Sequence, residues 1–212
     1  MHFWLVFYSV PLAQDFGECL VRGDHAFSER DRVSLRYFYD RFHNTGFLDS
    51  SNYLANSNYS VIKSQNALVS ETHLVGPGAL NELRVGFSRE TSNRGPAPGS
   101  IGLADLGVNI WQPPSAKTME GLSVSGFFNP SQTDPADFIR NQYILSDEFN
   151  LVHDKHSLAF GGSATRGQVL LRNQFRTAGS FSFTSDVTND ALASYLLGYV
   201  RTFTQGYGEF ND

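Results

Sequence analysis

The chain has 212 residues, enough for one sizeable core or two small ones. Hydrophobic residues make up 41% and charged ones only 17%, with 18 Phe and 9 Tyr, which excludes a charged disordered tail. A net charge of -5 with 16 Lys and Arg also argues against nucleic-acid binding, which calls for a basic patch.

From the N-terminus, residues 3–8 are the longest apolar run, and with Val10, Leu12 and Ala13 they look like a signal-peptide core. No Lys or Arg precedes them and Pro11-Leu12-Ala13 is a poor cleavage site, so the expectation is a start inside a longer reading frame. No stretch approaches the ~18 consecutive apolar residues of a membrane-spanning helix. Cys19 is the single cysteine, which rules out an intrachain disulfide and a multi-cysteine metal site. It reads as a small apolar filler.

Period-two alternation then dominates. Residues 20–27 form a weaker strand, joined through the polar Ser28-Glu29-Arg30-Asp31 to a clear one at 32–40. There Val33, Leu35, Tyr37 and Tyr39 share one face, and Arg32, Ser34, Arg36 and Asp40 the other, with Phe38 the exception. After an Asn- and Ser-rich connection at 43–57, a second hairpin is predicted over 66–75 and 80–89, around Gly76-Pro77-Gly78-Ala79. Leu83, Val85 and Phe87 alternate with Glu82, Arg84, Gly86 and Ser88, whereas the facing of 66–75 stays open. The connection at 90–140 is roughly 50 residues long and holds six of the eight prolines. A structureless loop of that length counts against a compact soluble domain.

The third hairpin joins 142–152 to 157–168 through His153-Asp154-Lys155-His156. Tyr143, Leu145, Phe149 and Leu151 share a face that Leu158 and Phe160 continue, with Asp147 intruding on it and Ile144 on the polar side. Residues 179–184 are strand-like, 189–197 predict a short helix capped by Thr188 or Asn189 and stopped by Gly198, and a further extended run begins at Arg201.

Short polar turns on one side and long loops on the other are the habit of outer-membrane β-barrels, whose strands alternate apolar-out and polar-in. Lipid satisfies no backbone group, so with no spanning helix in the sequence a closed sheet is what remains. The predicted fold is therefore all-β: an antiparallel, up-and-down transmembrane barrel segment of about eight strands with long external loops.

Three segments resemble the barrel of the TonB-dependent receptors, in particular the Oar-like group with a carboxypeptidase-regulatory-like N-terminal domain. The first is Arg22-Gly23-Asp24-His25-Ala26-Phe27-Ser28-Glu29-Arg30-Asp31-Arg32, continuing into Arg36-Tyr37-Phe38-Tyr39-Asp40-Arg41-Phe42. The second is Glu71-Thr72-His73 with Leu80-Asn81-Glu82-Leu83-Arg84-Val85-Gly86-Phe87-Ser88-Arg89. The third is Lys155-His156-Ser157-Leu158-Ala159-Phe160-Gly161-Gly162, with Asn189-Asp190-Ala191-Leu192-Ala193-Ser194-Tyr195-Leu196-Leu197-Gly198 downstream. The resemblance implies residence in the bacterial outer membrane, a lipid surround, an extracellular ligand and energy from the TonB system of the inner membrane. No plug, TonB-contacting segment or aromatic-ended terminal strand is recognisable, so residues 1–212 are expected to be a partial barrel domain from the middle of a receptor.

On this reading Val33, Leu35, Tyr37, Tyr39, Leu83, Val85, Phe87, Leu145, Phe149, Leu158 and Phe160 face lipid. Arg32, Arg36, Glu82, Arg84 and Glu148 face the lumen, lining it, touching a plug or contributing to a ligand path. Arg outnumbers Lys 13 to 3, which favours fixed bidentate pairing over loose solvated charge.

Nothing points to catalysis, a cofactor or a metal. His153-Asp154-Lys155-His156 fits a solvated turn, and Gly161 to Gly167 lacks the Gly-Lys-Ser/Thr ending of a phosphate loop. Asp147 and Glu148, adjacent on a strand, point to opposite faces. Trp111, Phe127 and Phe128 either help capture a ligand or pack their loop together. Two other readings compete: a small non-transporting barrel or adhesin-like structural protein, since eight strands can close, and a soluble β-sandwich carbohydrate-binding module. The second leaves the one-sided loop lengths unexplained.

Overall fold

The computed structural model describes residues 9–112, 121–130, 132–206 and 210–211. The apolar run at 3–8 and the prolines Pro113 and Pro114 lie outside the described residues.

Three hairpins of long strands make the main sheet. β1 (Gln14–Ala26) pairs with β2 (Asp31–Asn44). A two-residue pair, β3 (Phe47–Leu48) and β4 (Asn56–Ser57), interrupts the next connection. β5 (Tyr59–Gly76) and β6 (Ala79–Gly95) follow, then β7 (Leu122–Val124), and then β8 (Ala136–His153) with β9 (His156–Asn173). The chain continues through β10 (Ser180–Phe183), α1 (Ala191–Leu196), β11 (Thr202–Thr204) and β12 (Phe210–Asn211). The main sheet has the order β1-β2-β5-β6-β8-β9-β12, every pair antiparallel. Among the described residues it holds seven strands, the last only two residues long, against the eight or so expected.

The tight turns all lie at one end of the sheet, and each has a local cause. In the first, the Ser28 hydroxyl accepts the backbone N–H groups of Arg30 and Asp31, both at 3.1 Å. The second is Pro77-Gly78, where a Cβ on Gly78 would lie 2.3 Å from the Val152 carbonyl oxygen. Only glycine lets this turn dock on β8, and the Gly78 carbonyl in return accepts from the Val152 N–H at 2.7 Å. The third is Asp154-Lys155, with Asp154 in the left-handed region at φ 53°.

The strands run further toward the loop end than alternation predicts. β6 reaches Gly95 and β8 starts at Ala136, so the long connection narrows from 90–140 to 96–135. Alternation fails in these extensions because Glu90 to Arg94 are polar on both faces; backbone pairing alone, from Glu90↔Arg140 to Arg94↔Ala136, keeps them extended.

Buried residues concentrate beyond the sheet. The core cluster is Val124, Phe183 and Ala191, with Leu122, Phe128, Phe181 and Tyr195 packed against it. β10 pairs parallel with β7 and antiparallel with β11, bringing the 96–135 connection against the one that follows β9. Tyr195 stands edge-on to both Phe128 and Phe183, at 5.5 and 5.2 Å between centroids, a favoured aromatic geometry. Phe128 thus packs its loop, whereas Trp111 and Phe127 are exposed.

The helix is shorter than predicted and capped differently. Asp190 is its N-cap, accepting from the N–H groups of Leu192 and Ala193 at 2.8 and 3.0 Å, where Thr188 or Asn189 was expected. Thr188 instead hydrogen-bonds Ser194, at 2.8 Å between oxygens, and Gly198, at φ 77°, ends the segment. Cys19 is not a buried filler: it is exposed on β1, where both faces are bare.

Candidate functional site

Directly paired residues on neighbouring strands share a face, so the register sorts side chains across the whole sheet. One row runs Gly23, Leu35, Val69, Val85, Leu145 and Ala164, and the next Val21, Tyr37, Ala67, Phe87, Tyr143 and Arg166. Val33 and Leu83 lie in the row toward the turns, and Phe149 and Phe160 one row beyond, where their rings meet at 5.1 Å. Leu158 follows opposite Leu151, and Tyr39 lies on the loop side of Tyr37. All the residues expected to face lipid therefore occupy one surface, here the apolar face. The open orientation of 66–75 also resolves: Ala67, Val69, Glu71 and His73 join this face, while Asn66, Leu68, Ser70 and Thr72 join the other.

Arg32, Arg36, Glu82, Arg84 and Glu148 come together on that other, polar face. Arg32, Thr72, Glu82 and Glu148 form one row, Ser34, Ser70, Arg84 and Ser146 the next, and Arg36, Leu68, Gly86 and Ile144 a third. Glu82 and Glu148 are directly opposed, and Arg84 relieves the repulsion by pairing with Glu82 at 2.7 Å. Arg22 and Asp24 pair at 2.9 Å on the same surface, as do Arg140 and Glu90 at 2.6 Å. Water and salt screen such exposed pairs, so they set the charge pattern more than they hold the sheet. Arg32 and Arg36 form no ion pair among the described residues.

Gly86 opens a recess of about 350 Å³ on this face. Apolar Leu68, Ile144 and Phe38 line it together with polar Arg36, Ser88 and Gln142. The residues that break alternation thus have a place. Phe38 and Ile144 line the recess, and Asp147, on the apolar face, accepts from Asn81 Nδ2 at 2.7 Å near the turns.

Two features escaped sequence reasoning because they lie outside the alternating stretches. Toward the loops the polar face turns apolar, with Phe16, Phe42, Ile62, Phe138 and Leu171 in one row; Arg94 and Arg140 lie 5.4 and 5.6 Å from the Phe138 ring. At the same level the apolar face turns polar on β2, β5 and β6, through Arg41, Lys63 and Thr91, while Ile139 and Leu170 keep it apolar on β8 and β9.

The glycine run is strand, as expected, yet only Gly161 is constrained by a close neighbour. A Cβ there would sit 2.3 Å from the Asp147 carbonyl oxygen, whereas Gly162 and Gly167 face open space. The residues around the third turn, His153 and His156, are exposed. Among the described residues no group of three or more His, Cys, Asp or Glu gathers as a metal site.

An antiparallel meander of 13- to 18-residue strands, apolar along one face and polar along the other, with tight turns at one end and long loops at the other, is the wall of a transmembrane β-barrel. The chain belongs to the outer membrane beta barrel domain family, whose model matches residues 5–212, and it is a protein of the bacterial outer membrane. No curated protein and no solved structure matches it.

Proposed function

We propose that the chain is part of the barrel of a TonB-dependent, Oar-like receptor, contributing wall and external loops for ligand binding and uptake. The apolar face meets lipid and the polar face meets the lumen. The role is non-enzymatic, and energy comes from the TonB system acting on the assembled receptor.

The observation that carries this reading is the spacing of polar rows on the apolar face. Asp31, His73 and Asn81, with Glu71 and Asp147 one row inside them, edge the apolar rows toward the turns, and Gln65, Arg89 and Asn141, with Arg166 one row inside them, edge the rows toward the loops. The interval from Asp31 to Tyr39 is about 26 Å along the strand at ~3.3 Å per residue. A tilt of ~40° reduces it to about 20 Å along the membrane normal, close to the ~25 Å apolar band of such barrels. The remaining strand length projects past the band on the loop side, where the polar face becomes apolar. The sequence resemblance over the three hairpins supports the receptor class. The recess at Gly86, with its mixed apolar and polar lining, fits a lumen in contact with a plug or a passing ligand.

Photo-crosslinking in the native outer membrane tests this. A photoreactive residue replacing Arg36 should yield a protein adduct, from a plug or a TonB-linked partner, and one replacing Leu35 should yield lipid adducts. Lipid adducts from Leu35 with none to protein from Arg36 would instead identify a small, non-transporting barrel. Lipid adducts from Arg36 would reverse the face assignment.

A further inference from the structure

The two edges of the apolar band carry opposite charge. Toward the turns lie Asp31, Glu71 and Asp147, with no Lys or Arg in their rows. Toward the loops, three successive rows hold Arg166, Arg89, Arg41 and Lys63 and no acid. Arg41 and Lys63 are directly opposed, and Arg89 is the diagonal neighbour of Lys63. Like charges in direct opposition are destabilising unless something answers them. No ion pair within the described residues does so. The nearest acids on this face, Asp15 and Asp137, sit one row further out and are engaged by His43, at 3.7 Å, and by Asn93. Tyr37, Tyr39 and Tyr143 line the adjacent rows, at the level where amphipathic rings meet headgroups.

We propose that Arg41, Lys63 and Arg89 form a binding site for the phosphate of an anionic lipid headgroup in the leaflet on the loop side. The proposal rests on the assignment of the apolar face to lipid. Guanidinium groups grip phosphate bidentately and the ammonium adds a point charge, so the cluster favours a phosphorylated headgroup over a neutral one. The acidic edge repels the same headgroups from the turn side, which fixes the wall's orientation between unlike leaflets.

The test places the full chain in phosphatidylcholine nanodiscs, titrates in bisphosphorylated lipid A and counts retained molecules by native mass spectrometry. Each of Arg41→Gln, Lys63→Gln and Arg89→Gln should weaken retention roughly five-fold, and the triple variant about 100-fold. The polar-face pair Arg94→Gln/Arg140→Gln should leave lipid A retention unchanged. Retention unaltered by the triple variant, or weakened equally by the polar-face pair, overturns the site. The single variants decide if the triple does not insert. Excess inorganic phosphate should leave lipid A in place; its displacement overturns the lipid commitment in favour of a free-anion site. Fluorescence of Leu35→Trp with brominated phosphatidylcholine separates the two assignments. Quenching with unaltered lipid A retention removes only the headgroup site, and no quenching removes the face assignment beneath it.

Discussion

Val85, in the middle of β6, is 50% exposed, whereas Val124, in the short strand β7, is 2% exposed. The same side chain serves two different solvents. In the long-stranded sheet nothing within the described chain covers Val85, Leu145 or Phe160; those side chains are satisfied only by a medium outside the protein. In the loop layer, Val124, Phe183 and Ala191 are covered by the chain itself, and Tyr195 locks two aromatic neighbours edge-on. The sheet takes its order from backbone pairing and its environment from the membrane. The loop layer folds as a small soluble core does, by excluding water.

That contrast is open to attack from both sides. The largest effect is expected at Phe183→Ala, which removes the biggest buried side chain of the loop layer and should cost about 3–5 kcal/mol there. Hydrogen exchange should quicken across α1 and β10 while β5, β6 and β8 keep their protection; equal loss in the sheet would make the two regions one cooperative unit. Val85→Arg comes next, at about 2–4 kcal/mol, because its row lies near the middle of the apolar band. Phe160→Arg should cost about 1 kcal/mol or less, since Phe160 shares its row with Asp31, His73 and Asn81 at the band's edge. Refolding titrations of both variants into lipid vesicles measure the difference, and equal costs would contradict the band's position.

Gly161→Ala should destabilise the β8–β9 hairpin by about 1–3 kcal/mol, because its new methyl meets a backbone oxygen that cannot retreat. Gly162→Ala, one residue along in open space, should be close to neutral in the same titration. A smaller effect, about 1 kcal/mol, is expected for Asp190→Ala, which strips the cap from α1. It should appear as faster exchange at Leu192 and Ala193 alone.

The sequence made the sheet legible where one face is held to apolar residues. Val33, Leu35 and Tyr37, or Leu83, Val85 and Phe87, announce their strands because the lipid contact proposed for that face demands the alternation. Glu90 to Arg94 are strand too, but with neither face held to apolar residues, period two vanishes and the extension looks like loop. The cationic edge was hidden for the same reason: Lys63 precedes the stretch in which β5 can be recognised, and its opposition to Arg41 exists only once the register is known. The loop-layer core was illegible for another reason. Val124, Phe183 and Ala191 come from segments far apart in the chain, and no local pattern says that they meet.

The claim on which the rest depends is that the apolar face is in lipid. Spin labels at each position from 82 to 88, in a Cys19→Ser background and a reconstituted bilayer, read it directly. The account predicts that 83, 85 and 87 are relaxed by oxygen dissolved in the bilayer, and that 82, 84, 86 and 88 respond to a water-soluble agent. The opposite phase, or no alternation along β6, would contradict it.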